Sequence, residues 1–328
     1  MLHLSEDQQK IQLKANELSK EKLNPTNDVL FKFIFGRPER KQITIAFLND
    51  LLSEELGHKI KDLIFENTEQ TPNSYNGKLT RLDIACVLDS GEKVDIEMQV
   101  AYEKSFTNRT LYYWSQMYLG SILNSEDYGK LTPCICINIL DFVLFKDEPS
   151  ALTSYAIFER KSHALLNGDL NLHFLEIPKF QKKEHMSKME RWLAMFSKKL
   201  SYQEKMQIAK EDPMMHNMLK SYDAFFLNNE ERLKYINRQM AIYDYKTAMR
   251  SSRETGLAEG EAIGIEKGEA IGLEKGRKEG IAQAKEQTVL TLVKKGMTLK
   301  NAMEILDMSE QEQSEIIKKH PELNEASK

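Results

Sequence analysis

The sequence predicts an α/β domain of roughly 155 residues followed by a helical extension. Three observations lead there. Residues 79–101 (LTRLDIACVLDSGEKVDIEMQVA) alternate apolar and polar residues on both sides of a turn, the pattern of an amphipathic β-hairpin. Pro133 begins a continuous apolar run (PCICINILDFVLF) that reads as a strand buried on both faces. Segments of helical period stand before, between and after these strands.

In chain order, residues 1–23 are charged and helix-compatible without an apolar stripe, which predicts a peripheral N-terminal helix. Asn24-Pro25-Thr26-Asn27-Asp28 is a turn-and-cap cluster. Thr26, Asn27 or Asp28 can cap a short helix through VLFKFIF that stops at Gly36, and so many apolar residues place that helix in the core. Glu39–Leu56 repeats Ile43, Phe47, Leu48, Leu51 and Leu52 at helical spacing and ends at Gly57. Ile60–Glu66 reads as a strand, followed by a polar loop and the hairpin. Phe106–Asn124 reads as a helix marked by Leu111, Trp114, Tyr118, Leu119 and Ile122. Ser154–Glu159 and Leu172–Ile177 read as a second hairpin about the Asn167-Gly168-Asp169 turn. Residues 24–180 thus form the α/β domain, and residues 181–252 a helical subdomain with aromatic anchors and no pattern that suggests chemistry.

Residues 253–286 carry a repeat, with glycine at 256, 260, 264, 268, 272, 276 and 280. Each glycine costs a helix about 1 kcal/mol relative to alanine, so the segment is either a flexible charged linker or a helix supported by close self-association along a glycine groove. Residues 287–328 predict short helices capped by Thr298 and Ser309. Their acidic residues Asp307, Glu310, Glu312 and Glu315 favour a small helical cap or oligomerisation unit over a DNA-reading helix-turn-helix.

The composition is 41% hydrophobic and 29% charged, with a formal net charge of −4. That balance gives no global attraction to nucleic acid, so DNA binding requires a local basic surface or a bridging metal. No apolar run is long enough to span a bilayer, and MLHLSEDQQK lacks the pattern of a signal peptide. Cys86, Cys134 and Cys136 lie in predicted strands without metal spacing, which fits reduced core thiols and a cytoplasmic location.

The hairpin holds the candidate chemistry. Leu82, Ile84, Cys86 and Leu88 face the core with Val94, Ile96, Met98 and Val100, leaving Asp83, Asp95, Glu97 and Gln99 on the other face. Asp89-Ser90-Gly91 suits a three-residue turn with glycine in the left-handed position, so Leu88 pairs with Glu92, Asp83 with Glu97 and Arg81 with Gln99. A slip of one residue would set every apolar side chain against a polar one. Opposed residues hold their Cβ atoms about 4.5–5.5 Å apart, so Asp83 and Glu97 repel unless a positive charge lies between them, and a divalent cation is the natural partner. Gln99 lies roughly 6–7 Å along the same face. The competing reading is a solvated polar face with no site. Arg109, Tyr112 and Gln116 on the following helix are able to face a phosphate.

Asp83 followed by Glu97-Met98-Gln99 resembles the PD-(D/E)xK nuclease signature with glutamine in place of lysine. PTNDVLFKFIFG, RLDIACVLDSGEKVDIEMQ, RTLYYWSQMY and LTPCICINILDF together resemble the Rpn family of recombination-promoting nucleases, also called PD-(D/E)xK family transposases. The resemblance covers about residues 24–180, and the glycine-repeat tail and terminal helical unit also recur in relatives. It implies a restriction-endonuclease-like core, a mixed sheet flanked by helices, and Mg2+- or Mn2+-dependent cleavage of DNA linked to recombination, mobile elements or defence. By position Asp83 and Glu97 would hold the metal, and Gln99 would orient water or touch the scissile phosphate. Arg81 and Arg109 are candidates for the missing positive charge. Asp28 matches a position near the site or caps its helix, and Asp95 is either an accessory ligand or solvated. A homo-oligomer, in its simplest form a dimer, would let one site per chain cut two strands. The alternative is a non-catalytic, self-associating DNA-binding or regulatory protein that acts through its C-terminal tail.

Overall fold

The computed structural model describes residues 19, 22–70, 80–122 and 127–322. The expected N-terminal helix over residues 1–23 falls almost wholly outside them. The chain divides into one unit ending at Lys246 and a second beginning at Thr247.

Helix α1 is Asp28–Phe35, begun by Asn27, whose side chain accepts hydrogen bonds from the Val29 and Leu30 amides. Its residues Leu30, Phe31, Phe33, Ile34 and Phe35 are buried, and Gly36 ends it. A 3-10 turn, Pro38–Arg40, leads into α2, Lys41–Leu56, which stops at Gly57 with φ 70°. Strands β1 (Leu63–Phe65), β2 (Glu69–Gln70), β3 (Thr80–Arg81), β4 (Ile84–Leu88) and β5 (Lys93–Gln99) follow, then α3 (Phe106–Leu119) and β6 (Cys134–Leu140). Strands β7 (Leu152–Tyr155) and β8 (Leu170–Glu176) complete a six-stranded sheet of order β1-β4-β5-β6-β8-β7. It is mixed: β5, β6 and β8 run parallel, and the remaining pairings are antiparallel. The parallel β5–β6 step is bridged by α3, as such crossovers require.

The second hairpin reverses earlier than the Asn167-Gly168-Asp169 turn suggests. Phe158 bridges Leu165, the Glu159 amide donates to the Ala164 carbonyl, and the Glu159 carboxylate accepts from the Lys161 and Ser162 amides. The local turn is thus built by one acidic side chain rather than by glycine.

One face of the sheet packs on α1, α2 and the helices that follow β8: α4 (Lys188–Phe196), α5 (Tyr202–Glu211), α6 (Pro213–Leu227) and the start of α7 (Asn229–Lys294). Phe35, Phe47, Trp192 and Phe196 form its aromatic centre, with Phe47 and Trp192 centroids 5.4 Å apart and the Trp192 indole N–H donating to Asp50. The helices after residue 181 therefore share the core of the α/β layer. On the other face α3 covers Ala85, Cys134, Cys136 and Leu140.

Two contacts bind α7 to the start of α1. The Tyr235 hydroxyl accepts from the Asn24 amide at 2.6 Å, and Arg238 Nε lies 2.8 Å from Asp28 Oδ1. Together they hold α1 in one orientation against the sheet.

In the second unit α7 continues helical through the glycine repeat to Lys294, with residues 253–284 exposed. A Cβ built at any of the seven repeat glycines meets nothing within 4 Å. Gly296, with φ 98°, ends the helix, and α8 (Leu299–Ile305) and α9 (Glu310–Lys319) fold back to enclose Val289, Leu299, Ala302, Met303, Met308 and Ile316.

Since the space around those glycines is open, Gly264→Ala, Gly268→Ala and Gly272→Ala combined in the full chain should stabilise the helix by about 1 kcal/mol per site. Circular dichroism melting should show a higher transition temperature. A lower one would mean that the glycines are packed against another chain.

Candidate active site

The β4–β5 register is the one the turn dictates. Ile84 pairs with Ile96, Ala85 with Asp95, Cys86 with Val94 and Val87 with Lys93, while Gly91 takes φ 107°. Continued by one residue, this sets Asp83 against Glu97. One hydrogen bond joins the two acids, from the Asp83 amide to Glu97 Oε1 at 2.9 Å, and the Met98 amide next to Glu97 donates to Asp83 Oδ2 at 3.1 Å.

The ladder breaks at this point. The Asp83 carboxylate occupies the Met98 amide, and the Leu82 amide turns away to the Thr68 carbonyl. Two expectations are corrected as a result. Leu82 packs on the α3 face with Ala85, Phe106 and Met117, not with Ile84 and Cys86. Arg81 is not opposite Gln99: its backbone pairs with Glu69 in the separate β2–β3 ribbon, and its side chain lies outside the described residues.

Along β5, Asp95, Glu97 and Gln99 share the α3 face, as period-two alternation requires. Asp95 is 1% and Glu97 5% exposed, so the solvated reading of Asp95 does not hold: β6 flanks it and α3 lies over it. Asp95 Oδ1 is buried without a hydrogen-bond partner. Burial first, then the charges of Glu97 and Asp83, hold the Asp95 carboxyl well above the usual carboxylate range. Burial and Asp83 push Glu97 up to about 7, against the Asp83 amide, Arg109 and Gln99, which favour its charge.

Gln99 donates from Nε2 to Glu97 Oε2 at 2.8 Å and accepts at Oε1 from Arg109 Nη2 at 2.7 Å. An arginine only donates, so the orientation of the amide is settled by its partner. Arg109 also donates to Glu103 at 2.7 Å. Tyr112 and Gln116 are not among the residues lining the adjoining cavities. The Tyr113 hydroxyl on α3 is held above its usual pKa by burial first and then by the Glu97 charge.

Two contributors, Lys32 and Arg238, were absent from the sequence reading. Lys32 of α1 places Nζ 2.7 Å from Asp83 Oδ1. Asp28, one turn before it, pairs with Arg238 of α7, from a stretch that suggested no chemistry; Asn27, not Asp28, provides the side-chain cap of α1. Asp28, Asp83, Gln99, Arg109, Arg238 and Tyr245 line a cavity of about 460 Å³, and a second of about 410 Å³, lined by Lys32, Arg37, Glu66 and Lys234, meets it at Asp83. The i, i+4 spacing of Asp28 and Lys32 could have flagged a polar stripe on an otherwise apolar helix.

Among the described residues no group of three or more His, Cys, Asp or Glu side chains gathers as a metal site. The donors nevertheless suit a hard cation. They are carboxylate oxygens, they repel one another, and one is buried unpartnered. Mg2+ is commonly held by one or two carboxylates together with water and substrate phosphate.

The raised carboxyls make stability depend on pH. An acid whose folded pKa exceeds its unfolded value stabilises the fold fully below the unfolded pKa, and that contribution is lost as pH rises through the folded one. For Glu97 the window runs from its ordinary 4.5 to about 7, and the loss is roughly 3 kcal/mol. Asp95 acts in the same direction. In metal-free buffer at pH 8, Asp95→Asn should therefore be more stable than wild type, with no such advantage at pH 3.5. Urea denaturation at the two pH values measures this; an equal gap at both would contradict a raised Asp95 carboxyl.

Over residues 25–252 the chain matches the family model described as PD-(D/E)XK nuclease family transposase. No curated protein and no solved structure matches it. The matched span covers more than half of the chain and includes Asp28, Lys32, Asp83, Asp95, Glu97, Gln99, Arg109 and Arg238, and the chain belongs to the PD-(D/E)XK nuclease family transposases.

Proposed function

We propose that this protein is a Mg2+-dependent DNA endonuclease, able to use Mn2+ in its place, that hydrolyses phosphodiester bonds in recombination, mobile-element movement or defence. The observation that carries the reading is the opposed, hydrogen-bonded pair Asp83 and Glu97, backed by the buried Asp95. Asp83 and Glu97 are the residues that would hold the cation. When bound, such an ion acidifies water and stabilises charge on the phosphate as a Lewis acid.

The protein's own groups supply the rest. Asp95 lies buried on the same face of β5 as Glu97. Gln99 fixes the Glu97 carboxylate through Nε2 and is itself held by Arg109. Arg109 and Arg238 beside one cavity, and Lys32, Arg37 and Lys234 beside the other, form the local basic surface that a chain of net charge −4 needs to approach DNA. Arg37, Arg109, Lys234 and Arg238 each pair with an acid, so phosphate must compete for them and binding should weaken steeply with salt. In hydrolysis the water oxygen forms the new bond to phosphorus, one ester P–O bond breaks, and the departing oxygen takes up a proton. Two copies acting together would cut both strands.

Incubation of plasmid or linear duplex with Mg2+ or Mn2+ should yield cleavage that chelator abolishes. Asp83→Ala and Glu97→Ala should each lower the rate by about 10²-fold or more. Equal background rates for wild type and both variants would rule the nuclease reading out.

A further inference from the structure

The third position of the hairpin signature, Gln99, carries no charge, and its amide is fully engaged. Its Nε2 is committed to Glu97 and its Oε1 to Arg109. Rotating the amide would set an N–H against the arginine, which has nothing to accept it. Gln99 is thus a positioning residue for Glu97, and the positive charge that a scissile phosphate requires must come from elsewhere.

We propose that Lys32 supplies it: the ammonium that hairpin position 99 lacks is delivered from α1 to Asp83, where it contacts the scissile phosphate. This rests on the nuclease reading above. Lys32 Nζ stands 2.7 Å from Asp83 Oδ1 and lines one of the two cavities that meet at Asp83, whereas Gln99 and Arg109 line the other. Its side chain is 39% exposed, open to a ligand rather than sealed in the core. The residues on either side of it, Phe31 and Phe33, are buried, and α1 is held by Asn24–Tyr235 and Asp28–Arg238, so the base of the lysine is fixed while its four-carbon stem can move. Lys32 is the more open member of the pair, 39% exposed against 16% for Asp83, so its ammonium can leave the carboxylate for a ligand. Arg109 cannot do the same work without releasing Gln99, and Glu97 with it. The two cations therefore divide the site, with Arg109 ordering the Glu97 side and Lys32 serving the Asp83 side.

The test uses the full-length chain as wild type, Lys32→Gln and the double variant Lys32→Gln/Gln99→Lys. Lys32→Gln should slow Mg2+-dependent duplex cleavage by about 10²-fold or more. Duplex binding in Ca2+ should lose salt dependence equivalent to about one phosphate contact. Calorimetric Mg2+ binding should remain as tight or become tighter, because Asp83 loses a competitor. The double variant should regain about tenfold or more of the lost rate. The proposal is overturned if Lys32→Gln cuts, and binds with the salt dependence of wild type. It is equally overturned if the loss of cleavage tracks weakened Mg2+ binding, which would assign Lys32 to building the carboxylate pair. In both of those cases wild type still cuts. A wild type that binds duplex but never cuts defeats the nuclease reading instead, and the salt dependence in Ca2+ then decides Lys32 alone; a wild type that neither binds nor cuts defeats both.

Discussion

The pair of hydrogen bonds that ties Asp83 to Glu97 and Met98 is the constraint on which the site depends. Each acid is held by the backbone of the opposite strand: the Asp83 amide by Glu97, and the Met98 amide by Asp83. This arrangement takes one amide out of the β4–β5 ladder and ends the strand there. It also brings two like charges together at the point where Leu82 crosses to the other face. A strand end is normally finished by a turn or by solvent. Here a carboxylate finishes it, and its free oxygen is left toward α1 for Lys32.

Charge is balanced around that pair in layers. Asp95, deepest, has its carboxyl pKa raised by burial first and then by the charges of Glu97 and Asp83. Glu97 titrates near neutrality. Arg109 reaches Glu97 through Gln99, and Lys32 reaches Asp83 directly. The helical layers around the sheet set these distances. The Phe35, Phe47, Trp192 and Phe196 cluster seats α1 on α2 and α4, and Tyr235 and Arg238 fasten α1 to α7. Residues far apart in sequence thus converge because they share one core, although they are unremarkable one by one.

Much of this was legible in the residues, and the legible part is local. Gly91 fixed the turn and therefore the Asp83–Glu97 register; Gly36 and Gly57 marked helix ends; the all-apolar Cys134–Leu140 run announced a strand buried on both faces. What failed was set by tertiary contact. Alternation carried Leu82 and Arg81 through Asp83 as if the strand continued, because only the folded chain shows Asp83 capturing the Met98 amide. On α3, Tyr113 stands one helical turn after Arg109, and its hydroxyl feels the Glu97 charge although the sequence reading did not name it. Lys32 and Arg238 were invisible for a simpler reason: their partners Asp83 and Asp28 lie in other elements, and a charged residue on a helix reads as solvated until its partner is known.

The central claim is that the opposed carboxylates form a cation site. The most direct measurement is the ionisation of Glu97 followed by carbon-13 NMR of its carboxyl, with and without Mg2+. The account predicts a midpoint near 7 in metal-free buffer that falls clearly when Mg2+ is added, and a much smaller fall in Asp83→Ala. A midpoint that Mg2+ and Mn2+ leave unmoved would contradict it.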